Sequence, residues 1–228
     1  LQGQQNILNG HVLIVGLGGL GSPCALYLAA AGVGRLTLCD FDSVDLTNLQ
    51  RQVLHRDSRI GVNKAVSARE EIASLNSACQ VDVVTDRATL ENLRSYVAEA
   101  DIVVDCSDNF ETRHAINRLC VATQRPLVTG AAIQMSGQIS VFDIRDQNSP
   151  CYACFLPEGT QTGDLDCGSS GILGPVTGTI GSMQATEVLK LLAQGMTSLS
   201  GRVLLYDAML AEWETMPIQK NPICDVCR

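Results

Sequence analysis

The sequence predicts an α/β fold: a mainly parallel sheet with helices on both faces, extended by further strands toward the C-terminus. Three observations carry that expectation. Short apolar runs alternate with helix-patterned stretches through the first 130 residues, a glycine-rich turn joins the first run to the first helix, and 228 residues suffice to bury a substantial core. One principal domain over 1–228 is expected.

The elements follow in order. HVLIV, His11 to Val15, reads as a buried strand, Ser22 to Ala31 as a helix and Arg35 to Asp40 as a second strand, which together make a βαβ unit. Ala65, Ala68, Ile72 and Leu75 recur at helical spacing, VDVVTD supplies a short strand, and Leu90 to Glu99 is a further helix. DIVVDC is a fourth apolar strand, ETRHAINRLCVATQ a helix and PLVTGA the next strand, the alternation of a mainly parallel sheet. Beyond Gly130, GQISVFDI and GRVLLYDA read as strands added to the same sheet, with Met183 to Leu192 as a helix between them. The segment from Ser149 to Gly174, rich in Gly, Pro, Ser and Thr, is expected to be a long loop, a feature that in a compact domain signals function or mobility.

Composition excludes some roles. A formal net charge of −8, from 24 acids against 16 Lys and Arg, argues against general nucleic-acid binding, which needs clustered cations and counterion release. A small anion held by a few placed cations remains compatible. Val12 to Gly34 is uncharged and nearly long enough to cross a bilayer, but four glycines and Pro23 crowd its first half in a strand–turn–helix pattern, so no membrane span is expected. LQGQQNILNG shows no basic region followed by an apolar core. Ten cysteines without a visible signal peptide then suggest reduced thiols and a cytoplasmic setting, not a secreted disulfide framework.

Gly16, Gly18 and Gly21 form G-x-G-x-x-G between a strand and a helix, a context in which backbone N–H groups and a helix N-terminus face a phosphate; Gly19 adds room. A tight turn without ligand is the bland alternative. Asp40, ending the second strand, stands where an acid commonly accepts from ribose hydroxyls, so NAD and ATP fit equally to this point. The stretch DFDSVDLTNLQRQVLHR separates them: Asn48, Arg51, Gln52 and, further on, Lys64 suit a triphosphate. Lys64 opens a helix, where a cation is mildly disfavoured unless an anion is bound, and both cations are expected to meet a ligand and not a protein group. Asp108, just past the fourth strand, could hold Mg²⁺, or could cap the next helix as a D-x-x-E box with Glu111.

CYAC (Cys151, Cys154) and CDVC (Cys224, Cys227) are two C-x-x-C pairs, enough for one closed tetrahedral zinc site; redox dithiols or plain buried thiols are the alternatives. Cys24, Cys39, Cys79, Cys106 and Cys120 are expected in or at the edge of the core. Cys167, in GDLDCGSSG, is a candidate for covalent chemistry, set against a thiol without a role. Asp164 and Asp166 beside it disfavour the thiolate, so Cys167→Ala is expected to retain activity. His11, His55 and His114 show no ligand spacing.

Taken together, GLGGLG, DFDSVDLTNLQRQ, the Lys64 region, VDCSDN, CYAC, GTIGSMQATEVLKLL, LLYDA and NPICDVC resemble the MoeB/ThiF family, bacterial relatives of the ubiquitin-activating enzymes, over nearly the whole chain. GAAIQMSGQISVFD and YDAMLAEWE look MoeB-like; ALYLAAAGVG and the Pro175 stretch also suit ThiF. The resemblance implies a Rossmann-like fold with a four-cysteine zinc knot, a nucleotide-binding half (1–130) and a carrier-binding, zinc-bearing half (131–228), and a homodimer. It implies ATP-dependent adenylation of a ubiquitin-like sulfur carrier ending in Gly-Gly, for molybdopterin or thiamine biosynthesis, with a sulfur donor such as a cysteine desulfurase. Residue by residue, Asp40 would hold the ribose, Asn48, Arg51, Gln52 and Lys64 the phosphates, and Asp108 Mg²⁺, with Asn109 beside it in the nucleotide site. In ThiF-like members a cysteine at the place of Cys167 links to the carrier. The family's R-Y-x-R-Q segment lies upstream of LQGQQNIL, where this sequence starts. An NAD-dependent oxidoreductase and a non-catalytic carrier-binding module are the competing readings.

Overall fold

The computed structural model describes residues 2–160 and 171–228. Cys167 lies outside the described residues. Its elements are α1 (Gln2–Asn9), β1 (His11–Val15), α2 (Gly21–Ala30), β2 (Arg35–Cys39), α3 (Lys64–Leu75), β3 (Gln80–Val84), α4 (Leu90–Glu99), β4 (Ile102–Asp105) and α5 (Phe110–Thr123). They continue with β5 (Leu127–Ile133), β6 (Ser136–Phe142), α6 (Tyr152–Phe155), α7 (Gly174–Gln194), β7 (Arg202–Asp207) and β8 (Glu212–Pro217). Two short 3₁₀ turns, Leu46–Asn48 and Asp57–Arg59, shape the polar stretch between β2 and α3.

One eight-stranded sheet in the order β3-β2-β1-β4-β5-β6-β7-β8 runs through the molecule. The first five strands of that order pair in parallel, and β6, β7 and β8 join antiparallel. β1 is buried at all five positions because each of its faces packs against helices. Val12 and Ile14 join the layer of α2, α3 and α7, while Leu13 and Val15 join that of α4, α5 and α6. Order reverses between β1 and β4, so a crevice opens beyond their carboxyl ends, where open α/β sheets bind ligands.

Four features depart from the expected elements. α1 has no buried residue and is amide-rich, so no apolar period announces it; it rests on α7, where Gly3 lies against Ala193. β8, EWETMP, is exposed along its whole length and is set by its ladder with β7. α7 begins at Gly174, nine residues before the expected start at Met183, and α6 interrupts the expected loop. Glycines and threonines make the first half of α7 a poor helix former in isolation. Its packing requires them: a Cβ at Gly181 would stand 2.7 Å from Pro23 of α2. Pro175 costs little in the first turn, where its missing N–H has no partner in any case.

Candidate nucleotide and metal sites

The crevice beyond β1 and β4 is lined by Gly16, Gly18, Gly19, Asp40, Arg51, Lys64, Asp108 and Asn109, so eight of the expected nucleotide residues converge there. Gly16 turns the chain with φ +92°, and a Cβ on it would stand 2.6 Å from the Cys106 carbonyl oxygen of the neighbouring strand end. That is why glycine, and not merely a small residue, closes β1. Gly21, Asn48 and Gln52 stand behind the lining. Gly21 opens α2; Asn48 Oδ1 accepts from Arg51 Nη2 at 2.7 Å; Gln52 is buried behind the glycine loop, its Nε2 3.5 Å from where a Cβ on Gly18 would stand.

Asp40 is the hinge of the loop. Its Oδ2 accepts from the Leu17 N–H at 2.7 Å and its Oδ1 from the Asp42 N–H at 2.9 Å. Burial raises the carboxyl above the ordinary aspartate range, opposed by the Lys64 charge and by those two N–H donors. Lys64, 7% exposed at the side chain, reaches Asp42 Oδ2 at 3.1 Å. The expectation that both cations lack protein partners is thus corrected. Asp42 anchors Lys64 and Asn48 anchors Arg51, because a long side chain aimed into a crevice needs a polar tether to hold one rotamer.

The helix-capping expectation is corrected too. Asn109, with extended backbone (φ −133°, ψ 148°), is the N-cap of α5, and its Oδ1 accepts from the Thr112 N–H at 2.9 Å. Asp108 lies one residue before that cap, exposed on the crevice wall, so it is relieved of the capping role. Sequence reasoning passed over Phe41, Asp42, Arg87, Arg113 and Thr177, which share the crevice wall. The Arg87 guanidinium sits 4.2 Å from the Phe41 ring centroid. Phe41 and Asp42 could have been found inside DFDSVDLTNLQRQ; Thr177 comes from α7, and nothing local marks it.

Beside the middle of α5, at Asn117, the second expectation is met in geometry. The Sγ atoms of Cys151, Cys154, Cys224 and Cys227 all lie within 4.8 Å of one another, and none forms a disulfide. Cys151–Cys154, Cys151–Cys224 and Cys154–Cys227 are separated by 4.0, 3.8 and 3.4 Å. A tetrahedral ion with metal–sulfur bonds of about 2.3 Å requires edges of about 3.8 Å, so the four thiols fit zinc. Asn117 Nδ2 and the Asn221 N–H approach Cys151 and Cys154 Sγ at 3.6 and 3.4 Å, donors suited to thiolates. Cys24, Cys39, Cys79, Cys106 and Cys120 are buried as expected, and desolvation pushes the Cys39 thiol up to about 12.

A largely parallel sheet with a cation-bearing crevice at its switch point, antiparallel strands beyond it and a four-cysteine clip defines a class of nucleotide-binding-type α/β proteins. Residues 1–226 match the ThiF family, and the chain belongs to it. It is 43% identical over 226 residues to the molybdopterin-synthase adenylyltransferase of Salmonella typhimurium (strain LT2), covering 99% of this chain and 90% of that protein. It is 44% identical over 227 residues to the SAMP-activating enzyme E1 of Haloferax volcanii, covering 99% of this chain and 83% of that protein. In three dimensions it resembles the crystal structure of Escherichia coli MccB with ATP, at a TM-score of 0.87 and 24% identity, over 100% of this chain and 69% of that one. At that identity the likeness concerns the fold alone. Among the described residues no helix is long and apolar enough to cross a membrane.

Proposed function

We propose that this chain adenylates the C-terminal Gly-Gly carboxylate of a small ubiquitin-like sulfur carrier, in the branch that serves molybdopterin synthesis ahead of a thiamine role. The observation that carries the reading is the convergence of the glycine loop, Asp40, Arg51, Lys64 and Asp108 on one crevice. A hydride-transfer enzyme has no evident need for two tethered cations beyond its ribose acid; a polyphosphate does.

In this reading the carrier's carboxylate oxygen attacks the α-phosphorus of ATP, the bond to the β,γ-pyrophosphate breaks, and an acyl-adenylate remains for a sulfur donor such as a cysteine desulfurase. The attacking carboxylate is already ionised, so the chain need supply no base. Asp40 holds the ribose, the glycine loop turns its N–H groups to the phosphates, and Arg51 and Lys64 neutralise charge on the nonbridging oxygens, a task of positioning and electrostatics. Asp108, exposed at the crevice and free of the helix cap, is the residue to hold Mg²⁺, which bound with the nucleotide would offset phosphate charge. Asn109 lies beside it; Asn48 and Gln52 act by holding Arg51 and the loop. Zinc in the cysteine cluster is structural. Residues 131–228 carry the carrier-binding surface, the working unit is a homodimer, and its setting is the cytoplasm.

The test is carrier-dependent ATP–pyrophosphate exchange with a panel of Gly-Gly-ended carriers, alongside binding of MgATP and NAD. Exchange that needs both a carrier and MgATP supports the reading. Preference for NAD would replace it with the oxidoreductase, and carrier binding without pyrophosphate release would leave a binding module.

A further inference from the structure

The buried imidazole of His55 is used by nothing described so far. It closes the polar stretch, donating its backbone N–H to the Gln52 carbonyl at 3.0 Å, and it is 5% exposed. Its ring spans two segments distant in sequence. Nε2 lies 3.0 Å from the Leu17 carbonyl oxygen, and Nδ1 lies 3.0 Å from Ser67 Oγ. A carbonyl can only accept, so Nε2 carries the proton, and in the neutral ring that burial favours Nδ1 accepts from the Ser67 hydroxyl.

Leu17 is the residue between Gly16 and Gly18. Its N–H is already held by Asp40 Oδ2 at 2.7 Å, and Ser22 Oγ also donates to its carbonyl, at 3.3 Å. Ser67 stands one turn along α3 from Lys64. A single neutral ring therefore ties the glycine loop to the helix that presents Lys64, while Asp40 grips the same residue from its other end. The Leu17 carbonyl shares its peptide plane with the Gly18 N–H, so rotation of that peptide would turn the Gly18 N–H, one of the groups the proposed function places against a phosphate. Burial lowers the ring's basicity; the Leu17 carbonyl opposes, the Lys64 and Arg59 charges act with burial, and Glu71 acts against it.

We infer that His55 is a positioning residue for the nucleotide, fixing the Leu17 peptide so that the glycine loop, the ribose acid and Lys64 keep one mutual geometry. The inference rests on the crevice being the MgATP site. Two substitutions separate the ring's two contacts. The amide nitrogen of Gln is as many bonds from Cα as Nε2, so His55→Gln can still donate to Leu17. The shorter His55→Asn can serve Ser67 but does not reach the loop.

MgATP affinity is measured by calorimetry on the full chain, with thermal melts of each variant beside it. His55→Asn should bind MgATP about tenfold more weakly, the scale of one lost hydrogen bond, while His55→Gln stays within about threefold of wild type. Equal affinities in the two variants, or wild-type affinity in His55→Asn, overturn the inference. Should neither variant fold, ¹⁵N spectra of the wild-type ring decide: an Nε2–H tautomer whose signal moves on saturation with MgATP supports it, and an Nδ1–H tautomer or an unmoved signal overturns it. Failure of the wild type itself to bind MgATP would instead defeat the proposed function.

Discussion

Lys64→Met isolates the charge of the crevice cation. Met keeps a buried unbranched stem of similar length, so the packing of a side chain only 7% exposed is largely preserved while the ammonium is removed. What is lost structurally is the 3.1 Å pair with Asp42, whose side chain is 51% exposed and can rehydrate when left alone. Pairs of that kind contribute roughly 0–1 kcal/mol, which in a domain of this size moves Tm by less than about 4 °C. The catalytic loss should be far larger. Removing one preorganised donor from a developing phosphoryl charge typically costs about 10²–10³ in rate, or about 2.7–4 kcal/mol. The Asp40 carboxyl would also lose the Lys64 charge that opposes its burial, which weakens the same site in the same direction. Carrier-dependent ATP–pyrophosphate exchange measures the rate and calorimetric melting the stability. Exchange within tenfold of wild type, or a Tm loss above about 10 °C that accounts for the lost rate, would refute the reasoning and return Lys64 to a structural role.

Three further outcomes are expected. Asp108→Asn should melt with the wild type, because Asn109 and not Asp108 caps α5, yet lose about 100-fold or more of exchange through weaker Mg²⁺ binding; near-normal exchange would remove Asp108 from the metal site. Cys224→Ser should retain well under the one zinc per chain expected of the wild type and melt at lower temperature, and reduced wild-type protein free of zinc would overturn the structural assignment. Desolvation leads the causes that lower the pKa of His11 below 6.5, with Arg35 acting in the same sense against Glu99, Asp101 and Asp82. The unfolded chain then takes up the proton first, so stability present above about pH 6.5 is lost as pH falls through the lower folded value. Urea midpoints from pH 8 to pH 5 should fall more steeply for wild type than for His11→Asn, which lacks the titrating ring; parallel slopes would count against this account.

The residues that a local pattern can mark were legible in the sequence. Gly16, Gly18 and Gly19 follow a strand of continuous apolar residues, Asp40 comes directly after the next, and each needs only its neighbours to declare its place. The two C-x-x-C pairs announce a four-thiol site because their spacing admits few other uses, and β1 and α4 match their apolar periods residue for residue. The motifs likewise suffice to mark the ThiF family, which residues 1–226 match.

Tertiary structure decided what depends on partners distant in the chain. α7 is helical through its glycines because α2 and the sheet bury it, and β8 is a strand because β7 offers a ladder; neither carries its own period. That Asn109 caps α5 while Asp108 faces the crevice turns on the backbone angle of one residue, which D-x-x-E could not convey. Likewise, Asp42 tethers Lys64 across 22 positions and His55 holds Leu17 across 38. Periodicity and turn chemistry register burial and dihedral preference over a turn or two, whereas these contacts exist only once the sheet has closed and brought the ends of β1, β2 and α3 together.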